Sequence, residues 1–246
     1  MTNAEAMPAK NDSYRNYTKV AEFYPLSLQS FSQSEQMFRQ ELGRLAPIGG
    51  PVLDIGSGTG RTVLAIAETL PVVEIIAVEP STTMRAVLMH RVMQDRDLRQ
   101  RVTIYSDPIH AVPLPEKLGA VVAYGVLGHF DRDERQHLWR RLIPKLEAGA
   151  PMFVELLPIG KPMDFEQKLV EGEQIGRRSY EAVYSGKAEQ GDLMRIKARW
   201  RISGGGGPPC VIENTNFWHT FTLEELAQET GLRLQRLTPE SGMLFS

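Results

Sequence analysis

Apolar residues along the chain recur first at helical spacing and then in short continuous runs. Between residues 13 and 46 they lie three or four positions apart, which predicts helices interrupted at Pro25. After Gly50, five runs predict strands that are buried on both faces: PVLDI, EIIAVE, RVTIYS, LGAVVAY and PMFVELL. The segments 60–69, 81–95 and 132–146 between these runs predict helices. Strands and helices that alternate in this way are typical of a doubly wound α/β fold with a mostly parallel sheet.

The hydrophobic pattern changes after Gly160. Residues 180–202 and 211–221 predict longer strands, with the glycine run 204–207 as a break between them. We predict that residues 161–219 form an insertion of three antiparallel strands, preceded by a helix around 163–175.

The end of the chain returns to the pattern of the main sheet. FTLEELAQETG predicts a helix, with Thr222 and Glu225 as a capping box and Gly231 just past its end. The runs LRLQRLT and GMLFS predict two last strands at an antiparallel edge, which makes seven strands in the main sheet. The predicted units are residues 1–46, a core of 47–160 with 220–246, and the insertion 161–219.

The composition of the chain argues against several classes of binding partner. The 246 residues carry 28 Lys and Arg against 30 Asp and Glu, a net charge of -2, which argues against a nucleic-acid-binding protein. No run approaches the roughly 18 apolar residues of a membrane span, and the polar start lacks the apolar region of a secretion signal. A single cysteine, Cys210, and five scattered histidines predict no metal site. We therefore expect a cytoplasmic protein with no membrane partner.

The stretch VLDIGSGTG joins the first strand to a helix through three alternate glycines. A dinucleotide fingerprint needs its third glycine five residues after the first, whereas Gly60 follows Gly56 by four. A phosphate-binding P-loop needs Gly-Lys-Ser/Thr, and here Arg61 and Thr62 follow the last glycine. The spacing thus disfavours a nucleotide-dependent dehydrogenase and indicates a different ligand that approaches the backbone closely.

Two acidic residues indicate what that ligand carries. Asp54 stands before the loop, where it would repel a phosphate but suits an ammonium group. Glu79 ends the next strand, where its carboxylate can accept hydrogen bonds from both hydroxyls of a ribose, each worth about 1.5–3 kcal/mol. A nucleoside with an amino-acid tail and no phosphate is S-adenosylmethionine.

On these residues the chain resembles the class I S-adenosylmethionine-dependent methyltransferases. VLDIGSGTG matches their acid-x-Gly-x-Gly-x-Gly motif, Glu79 matches their ribose ligand, and EPSTTM is similar to their acid-x-Ser-x-x-Met. Asp107 in YSDP matches the acid near the adenine amino group, and Tyr17 resembles an N-terminal lid tyrosine. The resemblance implies a Rossmann-like fold that binds S-adenosyl-L-methionine. The implied cofactor contacts are Tyr17, Asp54, Gly56, Ser57, Gly58, Gly60, Glu79, Pro80, Ser81, Met84, Asp107, Pro108, Tyr124 and Gly125.

The same resemblance implies methyl transfer to an O, N or C nucleophile of a small molecule. Residues 1–46 would be lid helices, and the insertion 161–219 resembles the antiparallel lid of small-molecule methyltransferases. Its strands could also pair between two copies, so a homodimer is a further expectation. His129, after the fourth strand, and His219, on the insertion, are the candidate catalytic bases because an imidazole can take a hydroxyl proton near neutral pH. For His129 the alternative role is packing or hydrogen bonding to the cofactor backbone. For His219, which could also recognise the acceptor, the alternative is packing among the aromatic residues of its strand.

Two other functions fit the same sequence features. One is an enzyme with the methyltransferase fold that uses the cofactor site for a different step, such as a cyclisation. The other is a cofactor-binding subunit without catalytic activity.

Overall fold

The computed structural model describes residues 17–27 and 31–246, with backbone only for residues 167–171. Before the first strand lie helices α1 (Tyr24–Ser27) and α2 (Ser32–Arg44). Residues 1–16 and 28–30, part of the predicted N-terminal unit, lie outside the described residues. α2 buries Phe38 and Leu42, two of the positions whose spacing predicted a helix.

The remaining α-helices and strands of the described residues follow in chain order, seven up to the end of β4 and nine after it. In the first half they are β1 (Val52–Ile55), α3 (Arg61–Thr69), β2 (Ile75–Val78), α4 (Thr82–Gln94), α5 (Arg96–Arg101), β3 (Val102–Tyr105) and β4 (Ala120–Tyr124). After these come α6 (Arg132–Leu142), β5 (Met152–Glu155), β6 (Phe165–Ile175), β7 (Arg178–Ala188), β8 (Leu193–Ser203), β9 (Cys210–His219), α7 (Leu223–Thr230), β10 (Arg233–Arg236) and β11 (Ser241–Phe245).

Seven strands form the central sheet in the order β10-β11-β5-β4-β1-β2-β3. β1 to β5 pair in parallel, whereas β11 pairs antiparallel with both β5 and β10. The predicted doubly wound α/β fold with an antiparallel edge is confirmed. The apolar runs of β1, β4 and β5 are buried at every position because helices cover both faces of the sheet.

The strand order reverses between β1 and β4. From β1 the chain builds outward through β2 and β3, then returns to place β4 and β5 on the other side. Ligands of open α/β sheets bind outside the carboxyl ends of the strands at such a reversal. The segments that follow β1, β2 and β4 therefore meet where a ligand is expected.

A second sheet contains β6, β7, β8 and β9 in sequential antiparallel order. The helix predicted around residues 163–175 is wrong, since these residues form β6, and the insertion has four strands instead of three. FEQKLVEGEQI is rich in helix formers, but pairing with β7 along its length overrides that local preference. In the part of the chain that the structure describes, no helix has the length and apolar character needed to cross a membrane.

Candidate functional site

A cavity of about 770 Å³ opens at the carboxyl ends of β1, β2 and β4. Its walls come from the glycine loop, the end of β2, the segment after β3, the segment after β4 and one side of α6. Two N-terminal side chains, Tyr17 and Tyr24, complete the lining. The volume is within the 300–1,000 Å³ range typical of small-molecule sites.

The glycines of the loop serve two different purposes. Gly56 has a φ of +68°, and a Cβ there would lie 2.6 Å from a methyl carbon of Val126. Gly60 has a φ of +93°, and its Cβ would lie 2.8 Å from Leu88 of α4. The left-handed backbone and these close approaches demand glycine at both positions. Gly56 lines the cavity, whereas Gly60 is required by helix packing.

Backbone N–H groups of the loop already have partners within the protein. The amides of Gly56 and Ser57 donate to the Val78 carbonyl at 2.8 and 3.0 Å, and Gly60 donates to Ser57 at 2.8 Å. The Gly58 amide donates to Glu79 Oε2 at 2.8 Å. A phosphate cradle requires such amides to point at the ligand. With these four donors engaged, the loop fits a ligand that needs close approach but no phosphate binding.

Glu79 lies in the cavity wall at the end of β2 and is only 6% exposed. Its Oε1 accepts a hydrogen bond of 2.7 Å from the Ser81 amide, and its Oε2 accepts from Gly58. Burial raises the pKa of Glu79 to about 7, although both amide donors oppose the shift. Each carboxylate oxygen keeps a further lone pair, so Glu79 can accept hydrogen bonds from two hydroxyl groups of a ligand.

Asp54 is placed differently. Its side chain is 1% exposed and accepts a hydrogen bond from Thr62 Oγ1 of α3 at 2.5 Å. Burial raises the pKa of Asp54 to about 6, against the opposing hydrogen bonds from Thr62 and Ser57. The carboxylate thus ties β1 to α3, and Asp54 is not part of the cavity lining.

Three segments meet around His129, which lies in a 3₁₀ turn (Leu127–His129) after β4. His129 Nε2 is hydrogen-bonded to the Tyr17 hydroxyl at 2.9 Å. The other side of the imidazole meets Trp218 of β9, with ring centroids 4.8 Å apart. Burial, and secondarily His219, lower the pKa of His129 to about 4, so the imidazole is neutral at pH 7.

His219 does not reach the cavity. Successive side chains of a strand point to opposite faces, so His219 faces away from the side on which Trp218 packs. Its Nδ1 is hydrogen-bonded to Asp192 at 2.8 Å. The structure therefore brings His129, but not His219, to the cavity wall.

Some of the predicted cofactor contacts also line the cavity, whereas others lie outside its lining. The cavity is lined by Tyr17, Gly56, Gly58, Glu79, Pro80, Met84, Pro108 and Gly125. Outside its lining lie Asp54, Ser57, Gly60, Ser81, Asp107 and Tyr124. Asp107 is exposed beside Pro108, and Tyr124 is buried under α2 against Phe38. Tyr24 and Val126 also line the cavity but were not predicted from the sequence. The spacing of seven residues between Tyr17 and Tyr24, about two helical turns, could have indicated Tyr24.

Comparison with known proteins identifies the class of this domain. Residues 52–149 match the family described as a methyltransferase domain. No curated protein sequence matches the chain. The matched segment contains the glycine loop, Glu79, the segment after β4 and α6.

Solved structures match nearly the whole chain. CalS10, described as an amino pentose methyltransferase from Micromonospora echinaspora with S-adenosylmethionine bound, is 17% identical, with 99% of this chain and 98% of that one covered and a TM-score of 0.67. The sugar N-methyltransferase KedS8 from a Streptoalloteichus species is 16% identical, with 91% of each chain covered and a TM-score of 0.69. DesVI from Streptomyces venezuelae is 15% identical, with coverage of 93% and 98% and a TM-score of 0.71.

Residues 52–149 thus match the methyltransferase-domain family, and the chain has the fold of the class I S-adenosylmethionine-dependent methyltransferases. The family and the fold together support S-adenosylmethionine as the cofactor.

Proposed function

We propose that the protein transfers a methyl group from S-adenosylmethionine to an O, N or C nucleophile of a small molecule. The observation that carries this proposal is the position of Glu79 in the cavity wall, in contact with a glycine loop whose amides already have hydrogen-bond partners within the protein. Glu79 can accept hydrogen bonds from two hydroxyl groups of a ligand, and the glycine loop lets a ligand approach its backbone closely without binding a phosphate. This arrangement fits the ribose and tail of S-adenosylmethionine better than a dinucleotide.

The cavity residues suggest how the cofactor would be held. The ribose hydroxyls would donate to Glu79, and the adenine would lie among apolar groups near Met84, Pro108 and Ile109. Gly56 and Gly58 leave room for the tail. S-adenosylmethionine supplies a methyl group activated by a positively charged sulfur, and the role of the protein is to align the acceptor and exclude water.

The acceptor would enter between the core and the four-stranded sheet. CalS10 and KedS8, whose structures resemble this chain, act on an amino pentose and on a sugar nitrogen according to their descriptions. These neighbours support an acceptor of similar size. Tyr17, His129 and Phe130, which line the cavity, would face the acceptor and the cofactor tail.

Ligand-dependent stabilisation tests the cofactor assignment. A ligand that binds only the folded state at 100 times its Kd adds about 2.7 kcal/mol to the free energy of unfolding. We expect this stabilisation with S-adenosylmethionine or S-adenosylhomocysteine and none with NAD, measured by thermal unfolding. Stabilisation by NAD alone would refute the assignment.

Product analysis tests the reaction. Incubation with isotopically labelled S-adenosylmethionine and candidate acceptors should give products heavier by one methyl group in place of a hydrogen, detected by mass spectrometry. Conversion without that mass gain would instead support a cyclisation or another non-methylating step. Cofactor binding with no conversion of any acceptor would support a non-catalytic subunit.

A further inference from the structure

Two tyrosine rings meet at nearly a right angle in the wall of the cavity. Tyr17 and Tyr24 both line it, their ring centroids lie 6.0 Å apart, and their planes are inclined at 86°. A group held in the angle between two perpendicular rings faces the plane of at least one of them. The face of a phenol ring carries the negative part of its quadrupole and attracts a cation within about 6 Å of the centroid.

The ring of Tyr24 lies beside the backbone of the glycine loop. A Cβ added to Gly58 would lie 3.6 Å from Tyr24 Cε1, which is an ordinary van der Waals distance. The Gly58 amide in turn donates to Glu79 Oε2 at 2.8 Å, so Gly58 lies between the proposed ribose-binding acid and the aromatic ring. The sulfur of S-adenosylmethionine links the ribose to the tail. With the ribose on Glu79 and the tail along the loop, the sulfur would come next to Gly58 and the Tyr24 ring.

The two phenols and the imidazole beside them are uncharged at pH 7. Burial raises the pKa of Tyr17 well above its usual value and that of Tyr24 to about 12, so neither becomes a phenolate. His129 is hydrogen-bonded to the Tyr17 hydroxyl at 2.9 Å, and burial lowers its pKa to about 4, so no imidazolium repels a bound cation. The Arg61 guanidinium is paired with Glu155 at 2.7 Å and is not part of the cavity lining.

We infer that Tyr17 and Tyr24 recognise the positively charged sulfur of S-adenosylmethionine through the faces of their rings. This inference rests on the proposed function and specifies how its cofactor site distinguishes the substrate from the product. S-adenosylmethionine and S-adenosylhomocysteine share the adenosine and the tail, and they differ in one methyl group and in the charge on sulfur. Glu79 and the glycine loop would contact only the shared parts. The two rings supply the contact that depends on the charge.

This contact ends when the methyl group is transferred. A lone pair of the acceptor forms the new bond to the methyl carbon as the C–S bond breaks, and the electron pair of the broken bond stays on sulfur. The positive charge thus leaves the sulfur together with the methyl group. The tyrosine rings lose their attraction for the neutral product, which favours the exchange of S-adenosylhomocysteine for a new molecule of S-adenosylmethionine.

The affinities of three ligands test this inference without turnover. S-adenosylmethionine carries the charge and the methyl group, S-adenosylhomocysteine carries neither, and sinefungin carries an ammonium group in place of the charged sulfur and its methyl group. Calorimetry at about pH 8, above the pKa of Glu79, keeps that carboxylate mostly ionised with every ligand. We expect Tyr24→Leu to reduce the preference for each cation over S-adenosylhomocysteine, measured as a ratio of Kd values, by about 3- to 30-fold.

Variants that keep an aromatic ring are the matched controls. Tyr24→Phe removes only the hydroxyl and should leave both ratios unchanged. Tyr17→Leu should lower both ratios, whereas Tyr17→Phe should retain them although it loses the hydrogen bond to His129. Replacing Tyr24 by pentafluorophenylalanine keeps an aromatic ring but reverses its quadrupole, and should lower both ratios without opening a cavity. A variant that only disturbs packing weakens all three ligands alike, so the ratios report recognition of the charge.

The outcomes separate the inference from the proposed function on which it rests. Unchanged ratios in either leucine variant, or an equal fall in the matching phenylalanine variant, would overturn the inference. A smaller preference for S-adenosylmethionine with an unchanged preference for sinefungin would also overturn it, because the methyl group and not the charge would then make the contact. Each of these results leaves the proposed cofactor site in place. Failure of the unaltered protein to bind any of the three ligands would instead remove the proposed function itself.

Discussion

Glu79 is the residue whose environment has the clearest chemical consequence. Its carboxylate is buried, receives two backbone N–H donors and faces the cavity. The donors favour its charged form, but loss of hydration outweighs them and its pKa rises to about 7. In the free protein, the ribose-binding acid proposed here is therefore half protonated near neutral pH.

Cofactor affinity should consequently depend on pH. Hydroxyl donors of a bound ribose favour the ionised carboxylate, so binding lowers the pKa of Glu79 and releases a proton. As pH falls through about 7, we expect the affinity for S-adenosylhomocysteine to decrease by up to about tenfold per pH unit. Titration calorimetry in buffers of different ionisation enthalpy measures both the affinity and the proton release.

Glu79→Gln is the matched control for this dependence. It keeps the side-chain size, removes the titration and should weaken binding by about 1.5–3 kcal/mol at high pH, the value of a hydrogen bond to a charged group. Its affinity should be nearly flat around pH 7. A wild-type affinity that does not change between about pH 6 and pH 8 would place the ribose away from Glu79.

At the scale of elements, the 3₁₀ turn after β4 is shaped to receive β9. The Trp218 indole packs so closely on Gly128 that an added Cβ would lie 2.0 Å from its ring. Trp218 is 5% exposed, and its ring also contacts His129. The contact between the core and the second sheet therefore depends on a residue without a side chain at position 128.

Gly128→Ala should push the indole out of this contact. We expect a loss of about 1–3 kcal/mol in the free energy of unfolding, the usual cost of overpacking, together with a change in tryptophan fluorescence. Gly43→Ala in α2 is a suitable control because its Cβ would lie at an ordinary 3.5 Å from Thr69. Equal stability of the two variants would show that the turn can shift without cost.

The elements also show what the sequence could and could not predict. β1, β4 and β5 were predictable because their apolar runs leave no polar face, which requires cover on both sides. β6 was not predictable because its strand conformation depends on pairing with β7, a contact that local preference does not reveal.

The sequence also does not predict which face of the second sheet each side chain occupies. Trp218 and His219 are adjacent, and the sequence gives no reason to choose which of them points at the core. The glycine spacing and Glu79 indicated the ligand class because both reflect local chemistry.

At the scale of the whole molecule, residues 17–27 connect the cavity to the second sheet. Tyr17 and Tyr24 line the cavity, whereas Phe23 points away from it and stacks on Trp200 of β8, with centroids 5.1 Å apart and planes at 23°. Phe23 and Trp200 are each 2% exposed, within a small apolar cluster that also contains Val20 and Ala182. Packing in this cluster therefore holds two cavity-lining tyrosines in place.

Phe23→Ala should weaken cofactor binding although Phe23 does not line the cavity. Removing a buried phenyl ring costs about 3–5 kcal/mol of local packing, so the arrangement that presents Tyr17 and Tyr24 becomes less populated. Apparent affinity falls in proportion to the competent fraction, and we expect a Kd for S-adenosylhomocysteine about tenfold higher by calorimetry. Val211→Ala, at a 43% exposed position of β9, should change neither affinity nor stability.

Two further measurements distinguish this coupling from general loss of structure. Thermal unfolding should show that Phe23→Ala remains folded at the temperature of the calorimetry, and its circular dichroism should match that of the wild type. Because the cofactor binds the arrangement that the mutation disfavours, saturating S-adenosylhomocysteine should restore the Tyr17–His129 contact, which His129 nitrogen resonances report. An unchanged Kd would mean that residues 17–27 hold their place without Phe23 and that the second sheet does not influence the cofactor site through them.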